Sequence, residues 1–275
     1  MSYTPFHFKE NFHYNKGWNK FALQYARLLK EDTVYNLTKE LMYSIVDDHF
    51  PPEKGMKVLD FNCGTGNDFP YFLKKGCTIL ATDYADGMLN KACETYASEI
   101  EKGNVSLFNG AIEDLSSESF EPESFDLIYS ITGGFSYVDE ETMHESFEKL
   151  SRFLKPGGKI ITAHFGRPCL AETFHYLFRL KIKQAIVRVK KKHVVNIKDA
   201  NYTMHFRGRK DFKKTYKNIQ LDSVHPLLFA TPPYQTGFSP NKRRLDFYRK
   251  IEKRTLSLSF LSNFSDQFVV VFSKK

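Results

Sequence analysis

The residues best placed to do chemistry stand together at 58–69, in Val-Leu-Asp-Phe-Asn-Cys-Gly-Thr-Gly-Asn-Asp-Phe. An apolar run ends in Asp60, the chain turns through Gly64 and Gly66, and a helical segment follows. Glycines at such a turn let backbone approach a ligand where side chains would collide. A crevice of this kind, at the carboxyl end of a buried strand, suits an extended ligand that contains a nucleoside. Spacing argues against two other ligands. No Gly-Lys-Ser/Thr follows the turn, which disfavours a phosphate-gripping loop. Phe69 stands three residues after Gly66, where the dinucleotide pattern Gly-x-Gly-x-x-Gly requires glycine, so a pyrophosphate is not indicated.

The elements that must hold this turn follow from periodicity. From Lys57, short apolar runs at 57–61, 78–83, 104–108, 125–130 and 159–165 alternate with helical segments over Asp86–Glu101 and Asp139–Phe153, each opened by an acidic cap candidate. Lys155-Pro156-Gly157-Gly158 breaks the second helix before the next strand. This alternation is the pattern of a parallel α/β sheet. Ahead of it lie two amphipathic helices, Asn19–Glu31 with Phe21, Tyr25, Leu28 and Leu29, and Tyr35–Asp48 with Leu37, Leu41, Ile45 and Val46. Pro51-Pro52 stops the second. After His164 the pattern thins into a long basic segment, Glu172–Lys198, then Tyr202–Phe206, a short helix near Asp211–Asn218, strands at Gln220–His225 and Phe268–Phe272, and a basic helix over Pro240–Leu256.

A second acid, Asp83, ends the following strand in Ala-Thr-Asp-Tyr-Ala-Asp-Gly-Met-Leu at 81–89. With the glycine turn and this strand-end acid in order, Val58–His164 resembles the class I S-adenosylmethionine-dependent methyltransferases. The resemblance implies an α/β, Rossmann-like fold: a predominantly parallel seven-stranded sheet with an antiparallel last strand, plus helical and basic insertions. It implies S-adenosyl-L-methionine as cofactor, with Asp60, Asn62, Gly64 and Gly66 around its methionine moiety. Asp83 would accept from the ribose hydroxyls, Tyr84 and Met88 would lie beside the adenine, and Ala111, Ile112 and Glu113 would form the adenine-contacting loop. The turn from Ser130 to Gly134 would approach the transferred methyl. One integrated domain is expected, with an N-terminal helical cap over 1–52, a cofactor-binding core over 53–165 and a C-terminal half over 166–275 that completes the sheet and carries substrate-side insertions.

Two positions depart from the family pattern. Asn62 stands where glycine is common, which suggests a modified loop geometry. Ala111 stands where aspartate is frequent, so Glu113, Asp114 or a backbone oxygen would have to receive the adenine amino group.

Methyl transfer from a sulfonium is an in-line displacement, in which placing the acceptor and excluding water supply much of the acceleration. For a hydroxyl acceptor, a nearby side chain could take the proton. His164, at a strand end, is the first candidate, with polar pocket lining as its plainer reading. His13 and Tyr14 follow, in an aromatic amino-terminal segment able to close over the site, and Tyr137 and His225 come behind them. Ser-Ile-Thr-Gly-Gly-Phe occupies 130–135 in place of the Asn-Pro-Pro-Tyr of amino-directed nucleic-acid and protein-glutamine methyltransferases. Thr231-Pro232-Pro233-Tyr234 comes too late to be that motif and reads as a stiff turn. Nine dispersed histidines and unclustered acids offer no metal set. The four cysteines, Cys63, Cys77, Cys93 and Cys169, read as reduced thiols.

Composition locates the remaining question. Hydrophobic residues make up 41% and charged ones 26%, which excludes a disordered chain. Met1–Thr162 carries 16 Lys and Arg against 25 Asp and Glu, and Ala163–Lys275 carries 24 against 7, so the halves hold −9 and +17. The basic segment Glu172–Lys198 admits four readings: a solvated helix, a substrate-covering insertion, a membrane-surface contact, or a nucleic-acid contact. No RNA-binding module accompanies it, so nucleic acid is not the expected partner. The first twenty residues lack the basic head and apolar core of a signal peptide, and a cytoplasmic location is expected. Nothing in the sequence sets an oligomeric state. The expected function is S-adenosylmethionine-dependent methyl transfer to oxygen or nitrogen of a small, anionic or lipid-like acceptor, with RNA methylation and a noncatalytic cofactor-binding interaction protein as alternatives.

Overall fold

The computed structural model describes residues 16–111, 120–131 and 133–275. Two helices, α1 (Lys16–Glu31) and α2 (Thr33–His49), precede the sheet, with Asp32 capping α2 by accepting the Tyr35 N–H at 2.8 Å. Then come β1 (Lys57–Phe61), α3 (Phe69–Lys74), β2 (Thr78–Asp83), α4 (Asp86–Thr95), α5 (Ala97–Glu101), β3 (Val105–Asn109), β4 (Phe125–Ser130), α6 (Glu140–Phe153) and β5 (Leu154–Phe165). The rest comprises α7 (Leu170–Leu177), α8 (Ile182–Ala185), a hairpin of β6 (Lys192–Ile197) and β7 (Ala200–His205), β8 (Ile219–Leu227), α9 (Lys242–Thr255) and β9 (Gln267–Lys274).

Seven strands form one sheet in the order β3-β2-β1-β4-β5-β9-β8. β1 to β5 run parallel, and β9 runs antiparallel to both β5 and β8. The expected Rossmann-like sheet is therefore present, its order reversing between β1 and β4. Strand residues alternate between the two faces with a period of two. Val58, Leu127, Tyr129, Ile161 and Ala163 pack with α2, while Leu59, Ile128, Ile160, Phe268 and Phe272 pack with Phe147 and Leu150 of α6.

Three element expectations are corrected. The helix over Asp86–Glu101 divides at Tyr96, where φ of −117° leaves the helical range. The short helix near Asp211–Asn218 is a 3₁₀ turn at Arg209–Phe212. The basic segment is no single helix but α7, α8, a 3₁₀ turn at Val187–Val189 and strand β6. This region leaves β5 and returns beside it, since Arg167 N–H donates to Arg207 O at 3.1 Å and Arg207 N–H to Phe165 O at 2.9 Å. Residues 166–207 thus form an insertion at the carboxyl edge of the sheet. Among the described residues, no helix is long and apolar enough to cross a membrane.

Candidate active site

A cavity of about 650 Å³, counted with its open mouth, lies where the strand order reverses. Open α/β sheets bind ligands at this position because the connections leave β1 and β4 toward opposite faces. Asn62, Cys63 and Gly64 line it from the turn after β1, Asp83 and Tyr84 from the end of β2, and Met88 from α4. Ile131, Gly134 and Tyr137 enter after β4, and Trp18, Tyr25, Leu29 and Tyr35 enter from α1 and α2.

The turn after β1 is left-handed at three positions: φ is 61° at Asn62, 56° at Gly64 and 75° at Gly66. Asparagine tolerates this conformation better than most residues. Asn62 therefore holds a left-handed backbone in this turn alongside the two glycines. A Cβ on Gly66 would lie 2.6 Å from the Phe69 ring, whereas a Cβ on Gly64 would meet only Tyr25, at 3.7 Å.

Asp83 ties the turn to β2. Its Oδ2 accepts the Gly64 N–H at 2.8 Å and its Oδ1 the Ala85 N–H at 2.9 Å, while burial pushes the carboxyl up to about 6. Asp60 is fully enclosed, and burial, with Asp68 and Asp83 nearby, raises it well above the usual carboxylate range. Its Oδ2 finds no partner among the described residues. Asp68, also in the lining, accepts from Tyr43 Oη at 2.5 Å and faces Lys39 Nζ at 3.3 Å. Burial and the neighbouring carboxylates likewise raise the Cys63 thiol, so it is no thiolate nucleophile.

Helix α1 lies over this cavity, held by its own first turn. Gly17 N–H donates to Tyr202 Oη of the hairpin at 3.2 Å, and Asn19 Oδ1 accepts the Gly87 N–H at the start of α4 at 2.8 Å. Both glycines are required by close approach: a Cβ on Gly17 would lie 2.2 Å from Ile197 O, and one on Gly87 would lie 2.7 Å from the Asn19 backbone. Trp18 stands in this first turn, its ring 5.9 Å from Tyr25, 5.6 Å from Tyr137 and 5.9 Å from Tyr202.

Residues 58–158 match the methyltransferase domain family. A demethylmenaquinone methyltransferase of Staphylococcus aureus (strain MRSA252) is 28% identical over 185 residues, covering 64% of this chain and 72% of the relative. One from Clavibacter sepedonicus is 30% identical over 117 residues, covering 42% and 44%. An S-adenosylmethionine-dependent methyltransferase from Clostridium acetobutylicum shares the fold at a TM-score of 0.56 with 16% identity, over 93% of this chain and 98% of that one. So does phosphoethanolamine N-methyltransferase 1 of Haemonchus contortus, solved with phosphoethanolamine and S-adenosylhomocysteine, at 0.58 with 15% identity, over 94% of this chain and 48% of that one. Residues 58–158 thus carry a methyltransferase domain, on the Rossmann-like fold shared by S-adenosylmethionine-dependent methyltransferases.

The site of this methyltransferase fits its cofactor on chemical grounds. Asp68 and Asp83 line the cavity and Asp60, fully enclosed, stands behind them, a group of acids suited to a ligand that carries a sulfonium and an ammonium. The Ser130 hydroxyl, like Asp60 Oδ2, is buried with no partner among the described residues.

Of the residues expected from sequence, Asn62, Gly64, Asp83, Tyr84, Met88 and Tyr137 meet in the cavity lining. Asp60, Gly66 and Ser130 stand just behind it, and Ala111 follows β3, half-buried. His13, Tyr14, Ile112 and Glu113 lie outside the described residues. His164 is not in the lining. Strand parity turns its ring to the α6 face, among Phe135, Phe147, Phe212 and Phe268, where Nε2 meets Thr162 Oγ1 at 2.8 Å. Burial and the Arg207 cation hold this imidazole well below its ordinary value. As an acceptor-facing base it is therefore corrected. His225 instead meets His49, Nε2 to Nε2 at 2.7 Å. Trp18, Tyr35 and Asp68 were missed as site residues. An acid two residues beyond the second turn glycine was a readable hint of Asp68, but nothing local places Trp18.

Proposed function

We propose that this methyltransferase acts on an oxygen or nitrogen of a small, ring-bearing, lipid-like acceptor seated against Trp18, Tyr25, Tyr35 and Tyr137. The observation that carries this reading is one cavity with two chemically different walls, the Asp68 and Asp83 carboxylates beyond β1 and at the end of β2, and aromatic rings on α1, α2 and the segment after β4. The relatives named demethylmenaquinone methyltransferase support a small-molecule acceptor. When bound, S-adenosylmethionine supplies an electrophilic methyl that is displaced in line from its sulfonium.

The chain's own residues would then bind and orient. Asp83 accepts from the ribose hydroxyls, and Asp60 with the left-handed turn faces the methionine end. Tyr84 and Met88 border the adenine, and Ile131 and Gly134 border the reacting atoms. Burial raises the Tyr35, Tyr84 and Tyr137 hydroxyls above their ordinary value, so at neutral pH they donate hydrogen bonds and do not remove protons. The acceptor accordingly brings its own lone pair, and acceleration comes from placement and from the exclusion of water under α1.

Labelled-methyl transfer into a cell extract, followed by fractionation, tests this reading. Label in a small organic-soluble molecule, absent with Asp83→Ala, is the expected result. Label confined to RNA or protein would overturn it.

A further inference from the structure

We propose that the insertion after β5 is a docking surface for an anionic phospholipid bilayer. In a soluble protein, amphipathic segments turn their apolar side chains inward. This segment does the reverse. Phe174, Phe178, Leu180, Ile182, Ile186 and Val189 are all exposed, with Phe178 at 85% and Leu180 at 88%. Helix α7 buries none of its residues, and α8 buries only Ala185. Exposed apolar side chains gathered in one short stretch mark a surface that something else covers.

Charge identifies the occupant. Arg179, Lys181, Lys183, Lys190, Lys191 and Lys192 are interleaved with these side chains, and no acid occurs between Glu172 and Asp199. All six are exposed, and none pairs with a carboxylate among the described residues. The one cation of the stretch that is buried, Arg188, acts differently. It bonds Asp266 Oδ1 at 2.6 Å, pairs with Glu172 and stacks on Phe165 and Phe206, anchoring the segment to the body of the protein. The rest is held outward on that anchor.

A second copy of the chain would bring like charges face to face, and the cores of protein interfaces are poor in lysine. Nucleic acid would satisfy the cations and leave the apolar side chains in water. A bilayer with anionic headgroups satisfies both, lysines at the phosphates and apolar side chains at the acyl boundary. The insertion leaves the sheet at the carboxyl end of β5, the same edge as the cavity, and its Tyr202 touches Trp18 of the lining. A lipid-like acceptor would thus enter from the surface on which the enzyme rests, though the docking itself does not depend on the acceptor.

Vesicle flotation of the full chain tests the proposal. Binding is expected to vesicles with about 30 mol % phosphatidylglycerol, not to phosphatidylcholine alone, and to disappear in about 0.5 M NaCl. Phe178→Ser/Leu180→Ser and Lys190→Glu/Lys191→Glu/Lys192→Glu should each weaken binding by about tenfold or more while leaving cofactor affinity and thermal midpoint unchanged. The salt and lipid dependence of the wild type stands as a separate readout should either variant misfold. No preference of the wild type for anionic vesicles, or binding that both variants retain, would overturn the proposal. So would a dimer that the serine variant dissolves without any vesicle binding, or RNA bound in place of vesicles. Vesicle binding without methyl transfer to a lipid-like acceptor would leave the docking standing and remove the acceptor reading.

Discussion

Asp83 accepts the backbone N–H of Gly64 at 2.8 Å, joining the carboxyl end of β2 to the left-handed turn after β1. One side chain therefore holds the turn's shape and faces the cavity. Its second oxygen is taken by Ala85 N–H at 2.9 Å, and the Tyr84 N–H also bonds the carboxyl.

Cofactor affinity should follow the ionisation of this carboxyl. Burial has pushed Asp83 up to about 6, and hydroxyl donors from a ribose favour the charged form. Affinity measured by calorimetry is expected to fall as pH drops through about 6, with proton release on binding near that pH. In the unliganded protein the raised value acts in the opposite sense: this group's contribution to stability is present below the ordinary carboxylate value and lost as pH rises through about 6. Asp83→Asn should weaken cofactor binding by about 1.5–3 kcal/mol and flatten its pH dependence. An unchanged pH profile in the variant would remove Asp83 as the ribose acceptor.

The two turn glycines should fail differently. Gly66→Ala places a Cβ at positive φ against the Phe69 and Tyr96 rings, at 2.6 and 2.9 Å, and should cost about 1–3 kcal/mol of stability in urea denaturation. Gly64→Ala has room in the fold, with only Tyr25 at 3.7 Å, and should cost ~1 kcal/mol. Its methyl points into the cavity, so cofactor affinity should drop about tenfold, equivalent to ~1.4 kcal/mol.

His164→Phe should leave turnover within about twofold of wild type and the pH–rate profile unmoved, whereas loss of a general base costs about 100-fold or more. Its effect belongs to stability. Because the imidazole is held neutral by burial, its contribution is present above the ordinary histidine value and lost as pH falls below it. The variant's stability should decline less steeply with acid than that of the wild type, as followed by denaturant midpoints from neutral to acidic pH.

Arg188→Met should destabilise the fold by about 3–5 kcal/mol, because Asp266, fully buried, is left without its cation. Adding Asp266→Asn should recover part of that loss, since the uncompensated charge is removed as well. Equal stability of the single and double variants would show that packing, and not the ion pair, holds the insertion.

The amino-acid sequence by itself determined the sheet's strands, the glycine turn and the acids that close β1 and β2. Each of these depends on neighbours in the chain: apolar periodicity sets a strand, and a turn needs residues that accept positive φ. It did not decide which way long-range contacts fall. His164 lies at a strand end, as expected, but one residue of parity sends its ring to the α6 face, and parity matters only once helices cover both sides. Trp18 became a cavity wall through Gly17–Tyr202 and Asn19–Gly87, contacts spanning 185 and 68 residues. Asp68 acquired Tyr43 and Lys39 when α2 packed beside the turn. The basic segment was readable as amphipathic, but only the tertiary structure decided that its apolar side chains face outward, because Arg188 spends its charge on Asp266 while α7 buries none of its residues and α8 only Ala185.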